Sequence, residues 1–316
     1  MRWVSPFRLN RANVVGMNHR NHAVIMPLND RAYYPRVDDK FETKRLAAKY
    51  AIATPTLLTV VRYQHQVPQL YDLLADVPDF CIKPSRGAAG RGILVVPRRG
   101  EHGELRKPSG AEVTRHDLAK HCSNILSGLY SLGGVPDKAL VERCIAFTDA
   151  FDGFSYQGVP DVRVIVYRGY PIFAMMRLST AASDGKANLH QGAVGVGIHL
   201  HSGRTKRAVQ FNQPVEAHPD TGKAFDDLIV PQWHEHLLLA TRCAELTGLG
   251  YYGADVVLDA HHGPQILELN ARPGLAIQMA NGEGLKRRLA VIDALDHEMP
   301  RNPAQRLAHA LQLFED

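Results

Sequence analysis

Two apolar runs late in the chain, Tyr251-Tyr252-Gly253-Ala254-Asp255-Val256-Val257-Leu258-Asp259 and Gln265-Ile266-Leu267-Glu268-Leu269-Asn270, constrain the fold more than any other feature. His261-His262-Gly263-Pro264 supplies turn chemistry between them. Side chains alternate across a strand, so Glu268 and Asn270 share one face. Folding the runs into a hairpin sets Asp255 beside Glu268. Buried strands rarely carry unpartnered acids, so a surface hairpin with stray charges is the weaker reading. Two carboxylates and an amide oxygen at one point, with no Cys or His, form a hard oxygen set suited to magnesium. Magnesium held by few protein oxygens commonly shares its shell with phosphates.

The rest of the chain fits an ordinary water-soluble protein. It has 316 residues, 45% hydrophobic and 22% charged, enough to bury a full core. No apolar stretch approaches the roughly 20 residues that span a bilayer. Met1-Arg2-Trp3-Val4-Ser5-Pro6 lacks the apolar core of a signal peptide, so a cytoplasmic protein without a membrane span is expected. Cys81, Cys122, Cys144 and Cys243 stand singly and read as reduced, mostly buried thiols. The net charge of +5 is dispersed, and no helix-turn-helix, zinc-finger or RNA-binding signature occurs. Nucleotides or acidic peptides explain that charge as well as nucleic acid does, and no nucleic-acid partner is expected.

Strand-like and helix-like segments interleave, which predicts an α/β or α+β class. Residues 1–38 read as irregular. Asp38 or Asp39 caps a helix from Lys40 to about Ala51, ended by Pro55, and a second helix covers Val67 to Leu74. Strands are expected at Phe80–Lys83 and Ile93–Val96, a polar turn-rich stretch at 97–112, a helix at His116–Leu132 and a strand at Ala139–Cys144. Asp161–Tyr167 and Pro171–Leu178 form a hairpin over Arg168-Gly169-Tyr170. Residues 183–199 are polar and rich in glycine, a helix runs from Gln232 to about Leu246 with Gly248 as its stop, and the tail from Gly284 is helical with breaks at Pro300 and Pro303.

Between the strands at 80 and 93 lies Arg86-Gly87-Ala88-Ala89-Gly90-Arg91-Gly92, a small-residue loop that can lay its N–H groups over phosphates. It is not a GxxxxGK[ST] loop. Lys83 ends an apolar strand, where a lysine is costly unless it meets an anion. Lys40 opens a helix, where an acid is commoner. Each alone reads as a solvated charge, and the loop alone as a hairpin turn; the combination with the Asp/Glu/Asn set points to a bound polyphosphate.

The ordered series Lys40, Lys83, Val141-Glu142-Arg143, Asp161-Val162-Arg163, Asn188-Leu189-His190-Gln191-Gly192, Asp255 and Glu268-Leu269-Asn270-Ala271-Arg272-Pro273-Gly274 resembles the ATP-grasp enzymes over about residues 38–290. Within that superfamily it is similar to RimK-related α-L-glutamate ligase-like proteins. The resemblance implies an α+β ATP-grasp fold, two subdomains clasping ATP, preceded by a reduced N-terminal segment. It divides the chain into 1–78 (N-terminal segment and first helices), 79–146 (lid), 147–292 (C-terminal subdomain with the metal site) and a helical tail, 293–316. By the same resemblance Lys40 and Lys83 hold ATP phosphates; Glu142, Cys144 and Ile145 lie at the adenine; Asp161, Lys186 and Asn188 contact the nucleotide. Asp255, Glu268 and Asn270 hold two magnesium ions, with manganese as a substitute. Arg177 acts on the phosphoryl group or intermediate, and Arg272, where that type has a small residue, clamps a substrate carboxylate or forms a structural ion pair.

The implied activity is an ADP-producing carboxylate–amine ligase working through an acylphosphate, adding glutamate or another amino acid to a peptide, protein or small amine. Such chemistry needs cations and metal ligands and no nucleophile–base pair, and none is evident. The alternatives are a ligase of other amino acids in peptide or cell-envelope metabolism, or an inactive nucleotide-binding scaffold. A homo-oligomer is compatible with either. Only 38 residues precede the Asp39-Lys40 helix start, where the RimK type carries nearly a hundred, and the segment 100–138 is longer than its lid. Asn18-His19-Arg20-Asn21 either lines the cleft in place of that domain or is a solvated loop, the plainer reading.

Overall fold

A computed structural model describes residues 4–87, 90–131, 133–295 and 301–315. The chain forms two compact units built from non-contiguous segments. One comprises 38–45 and 54–146, the other 1–37, 46–53 and 147–316. The expected first segment, 1–78, is therefore shared between both.

The smaller unit holds β1 (Leu57–Val61), β2 (Phe80–Pro84), β3 (Leu94–Val96), β4 (Arg98–Arg99), β5 (Leu105–Arg106), β6 (Glu112–Val113) and β7 (Ala139–Glu142). Strands β1-β7-β2-β3 make one antiparallel sheet in that order, and β4-β5-β6 a second. The stretch at 97–112 is thus a small sheet rather than turns alone; its strands are two residues long, too short to show period-2 alternation. Helices Val67–Leu73 and Arg115–Leu126 pack on each other, burying Leu70, Leu118, Cys122 and Ile125. Thr114 and Asp117 close the start of the second helix with reciprocal side-chain bonds. That helix ends at Leu126 rather than Leu132, a residue outside those described; Gly128 follows in the left-handed conformation.

In the larger unit β8 (Asp161–Tyr167), β9 (Tyr170–Leu178), β10 (Val194–Ile198), β11 (Thr205–Gln210), β12 (Gln213–Val215), β13 (Tyr251–Asp259) and β14 (Gly263–Asn270) form a seven-stranded sheet in the order β12-β11-β10-β9-β8-β13-β14. Every pairing is antiparallel. The hairpin over Arg168-Gly169 is present, with both residues at positive φ. Residues 194–198, within the stretch read as polar and rich in glycine, form a central strand: Val-Gly-Val-Gly-Ile is buried on both faces, and added Cβ atoms at Gly195 and Gly197 would collide with Leu189 and Ala280.

Helix Trp233–Thr247 covers one face of this sheet and stops at Gly248, at φ 67°. The Tyr252 hydroxyl donates to the Ala240 carbonyl of that helix at 2.8 Å, so alternation turns Gly253 and Asp255 to the opposite face. Residues 4–38 are not irregular. Pro6–Arg11, Met17–His19, a π-helical turn over Arg20–Ile25, Met26–Leu28 and Pro35–Asp38 are all helical. Their polar composition hid a narrow apolar stripe of Val24, Ile25 and Val37, all buried. Asn29 joins this layer to the hairpin: its Nδ2 donates to the carbonyls of Tyr251 (2.6 Å) and Ala271 (3.2 Å), and its Oδ1 accepts from the Tyr251 amide (2.9 Å). In the tail, Pro303 opens helix Pro303–Leu313 instead of breaking one, as the first helical position requires no N–H donor; Pro300 lies outside the described residues.

Candidate active site

The hairpin β13–β14 places Asp255 opposite Glu268 and Gly253 opposite Asn270, with a bulge between Asp255 and Val256. A bulge of this kind re-aims a side chain and is common beside active sites. Asn270 Nδ2 lies 3.3 Å from Asp255 Oδ2. Glu268 is half-buried. Two carboxylates and an amide on neighbouring positions give the oxygen-rich donor set that suits magnesium. Among the described residues no cluster of three or more His, Cys, Asp or Glu side chains gathers as a metal site. Two carboxylates and one amide would leave most positions around such an ion to phosphate or water.

Asp255 does not stand alone. Arg163, facing it across the β8–β13 pair, grips it with one edge of the guanidinium, Nε to Oδ1 at 2.7 Å and Nη2 to Oδ2 at 2.6 Å. Arg177, opposite Asp161 across β8–β9, bonds Asp161 at 2.5 and 2.7 Å and reaches Asp255 Oδ2 at 2.7 Å. Four buried charges thus form one chain, Asp161–Arg177–Asp255–Arg163. Burial pushes the Asp255 carboxyl up, but the two arginines outweigh it and hold it down, to about 2. Burial dominates at Asp161, and with Asp255 as a like-charged neighbour its carboxyl rises despite Arg177, to about 6. The sequence expectation gave Asp161, Asp255 and Arg177 roles but assigned none to Arg163. The two-residue spacing of Asp161 and Arg163 is the signal that they share a face.

In the smaller unit Lys83 Nζ meets Glu142 Oε2 at 2.7 Å, with side chains 5% and 1% exposed. Lys44 Nζ meets the other carboxylate oxygen at 3.2 Å. Glu142, expected beside adenine, therefore serves as counter-ion to two lysines. Lys44 was missed, although it lies one helical turn after Lys40. Burial lowers its pKa, Glu142 raises it, and Lys83 lowers it further; the net direction is down. Lys40 Nζ donates to the Gly87 carbonyl at 2.8 Å, which ties it to the small-residue loop, whose Ala88 and Ala89 lie outside the described residues. Asp39, not Asp38, caps the helix Lys40–Lys49: its Oδ1 accepts from the amides of Phe41 (3.1 Å) and Glu42 (3.3 Å) and from the Ser85 hydroxyl.

Three expected nucleotide contacts are engaged locally. The Cys144 amide donates to Asp79 Oδ1 at 2.9 Å, so that N–H is committed, and burial pushes the Cys144 thiol up to about 12. Ile145 is half-buried beside it. Lys186 pairs with Asp184 at 2.9 Å on the surface, and Asn188 caps the short helix Leu189–Gln191 by accepting from the His190 amide at 3.0 Å. Arg272 lies over the Tyr34 ring, 5.3 Å from its centroid.

A family model described as sugar-transfer associated ATP-grasp matches residues 19–294. Curated relatives include a probable alpha-L-glutamate ligase of Maridesulfovibrio salexigens, 23% identical over 249 residues that cover 78% of this chain and 60% of the relative. Another of that name, from Thioalkalivibrio sulfidiphilus, is 24% identical over 270 residues, 84% of this chain and 66% of the relative. The chain thus spans about 60–66% of the length of these relatives. Among solved structures, a Chryseobacterium gregarium RiPP-associated ATP-grasp ligase in complex with ADP and a leader and core peptide superposes with TM-score 0.45 at 16% identity, covering 87% of this chain and 64% of that one. D-alanyl-alanine synthetase A from Vibrio cholerae gives TM-score 0.45 at 10% identity, covering 89% and 66%.

Proposed function

Because this chain belongs to the family of sugar-transfer associated ATP-grasp proteins, we propose that it is an ATP- and magnesium-dependent carboxylate–amine ligase. The observation that carries this reading is the register of Asp255 with Glu268, with Asn270 beside them and Arg163 and Arg177 wired to the same carboxylate. Phosphoryl transfer to a carboxylate needs charge neutralisation and alignment more than covalent help from the protein. When bound, magnesium supplies positive charge to the phosphates, held by Asp255, Glu268 and Asn270. Arg177 and Arg163 keep Asp255 ionised and aimed. Lys40 and Lys83 are the cations for phosphates in the smaller unit, with Lys44 and Glu142 setting the local balance.

The names of the curated relatives support glutamate as the amino acid joined. The family description favours a second acceptor class, an amine on a sugar-bearing substrate. The test is ADP and phosphate release by the protein with MgATP and pooled L-amino acids, with and without amino-sugar acceptors, followed by mass spectrometry of the products. A new amide-linked mass supports the ligase and names its acceptor. AMP with pyrophosphate would overturn the acylphosphate route, and full turnover by Asp255→Asn or Glu268→Gln would overturn the metal assignment.

A further inference from the structure

The segment Asn18-His19-Arg20-Asn21 has no place in that site, yet it is ordered against the site's own strand. Arg20 crosses from the N-terminal helical layer to the loop after β14. There its Nη1 donates to the Pro273 carbonyl at 2.9 Å, three residues beyond Asn270. Its Nε and Nη2 both donate to Asn21 Oδ1, at 3.1 and 2.9 Å, which fixes the plane of the guanidinium. A guanidinium carries five N–H groups. Three are engaged in this way, and among the described residues no carboxylate pairs with Arg20 although it is half-buried. The residue opens the π-helical turn Arg20–Ile25, a rare element that is frequent at functional sites. Arg272 immediately precedes Pro273 and is exposed, its guanidinium held over the Tyr34 ring by the same helical layer. At Gly274 an added Cβ would meet nothing within 4 Å, so space is open beyond the loop.

We propose that Arg20, with Arg272, recognises the non-reacting carboxylate of the amino-acid co-substrate at the end of β14. This specificity role rests on the ligase reading. Planar, pre-oriented guanidinium groups match a carboxylate with two parallel hydrogen bonds. The partner is an α-carboxylate of a free amino acid or a peptide C-terminus. Phosphate oxygens of the nucleotide are the other source of the same anionic chemistry, and the experiment separates the two.

Calorimetry with wild-type protein, Arg20→Gln, Arg20→Lys and Arg272→Gln would measure three affinities: for magnesium with AMP-PNP, and then, in the presence of that nucleotide, for L-glutamate and for its α-amide. The expected result is that wild type prefers glutamate to the amide. Arg20→Gln weakens glutamate at least tenfold and erases the preference, Arg20→Lys restores part of it, Arg272→Gln weakens glutamate less, and AMP-PNP binding is unchanged throughout. Loss of the Pro273 contact alone would lower the melting temperature without touching the choice between acid and amide. Weakened AMP-PNP with unchanged glutamate would overturn the proposal and give Arg20 to the nucleotide. So would an unchanged preference in Arg20→Gln, or a wild type that binds AMP-PNP and none of the twenty L-amino acids. Failure to bind AMP-PNP at all would instead sink the ligase reading on which the role depends.

Discussion

The larger unit buries two arginines with two aspartates, whereas the smaller buries two lysines with one glutamate. The first set is balanced, and each member touches its neighbours with near-ideal guanidinium–carboxylate geometry. The second has a surplus positive charge in a place with little water. A balanced cluster holds its own shape; an unbalanced one is held at a cost until an anion arrives. The difference teaches that the two units hold buried charge by opposite means. The strands that carry Asp255 are fixed by internal ion pairs, while the lysine cluster of the smaller unit keeps a net positive charge.

The largest expected effect tests the balanced cluster. Arg177→Gln leaves Asp161 and Asp255 as neighbouring buried like charges, with Arg163 on the far side of Asp255 as the remaining arginine of the chain. Removing one partner of such a network costs about 3–5 kcal/mol, so urea unfolding should show most of that loss. A loss below about 1 kcal/mol, the value of an exposed pair, would mean that the cluster is solvated and the comparison false. In the smaller unit Glu142→Gln should cost about 3 kcal/mol by the same logic, since Lys83 and Lys44 then face each other without an acid. Saturating AMP-PNP should recover part of this loss, and no recovery would remove the phosphate role from the lysines.

Acid and base separate the clusters again, with smaller effects. Asp255 sits below its ordinary 3.8, so the unfolded chain binds its proton first. Its contribution is present above that value and is lost as pH falls toward about 2. Asp161 has the opposite sign: its carboxyl, raised to about 6, holds a proton in the folded state, and stability declines as pH rises from its ordinary 3.8 toward that value. Lys44 titrates below its ordinary 10.5, so stability climbs as pH rises toward 10.5 and the unfolded chain alone keeps the proton. Urea midpoints against pH should show all three limbs. Lys44→Met should remove the alkaline rise and leave the acid fall; a retained rise would assign it to another group.

How much of this was legible follows from where each signal resides. The β13–β14 hairpin could be read from period-2 alternation and a Gly-Pro turn, and the Asp255–Glu268 register came with it. The ion-pair chain was half legible. Spacing puts Asp161 and Arg163 on one face, but the pairing of β8 with β13 is a contact across about ninety residues that no local pattern encodes. The lysine partners of Glu142 could not be read, because a strand pattern gives a side chain's face and not its partner, and Lys44 is supplied by a different element. The N-terminal helices were hidden because their apolar stripe is narrow and their ends rest on Asn29 and Arg20, polar residues that read as solvent-facing.

The smallest stability change, and the sharpest contrast within one cluster, comes from Lys40. Its ammonium donates to the Gly87 carbonyl and is only half-buried, in contrast to Lys83, which is enclosed with Glu142. A hydrogen bond of this kind contributes about 1 kcal/mol net. Lys40→Ala should therefore shift the urea midpoint little, while Lys83→Ala should shift it more by leaving Glu142 with Lys44 alone. Binding of AMP-PNP should order them differently. A lysine that exchanges a neutral carbonyl for a phosphate oxygen gains an oppositely charged acceptor, so Lys40→Ala should weaken AMP-PNP about tenfold, equivalent to about 1.4 kcal/mol. A Lys40→Ala protein that binds AMP-PNP as tightly as wild type would show that the surplus charge of the smaller unit is confined to the buried Lys83–Glu142–Lys44 group. The phosphate role would then pass from the loop-bound lysine to the enclosed pair.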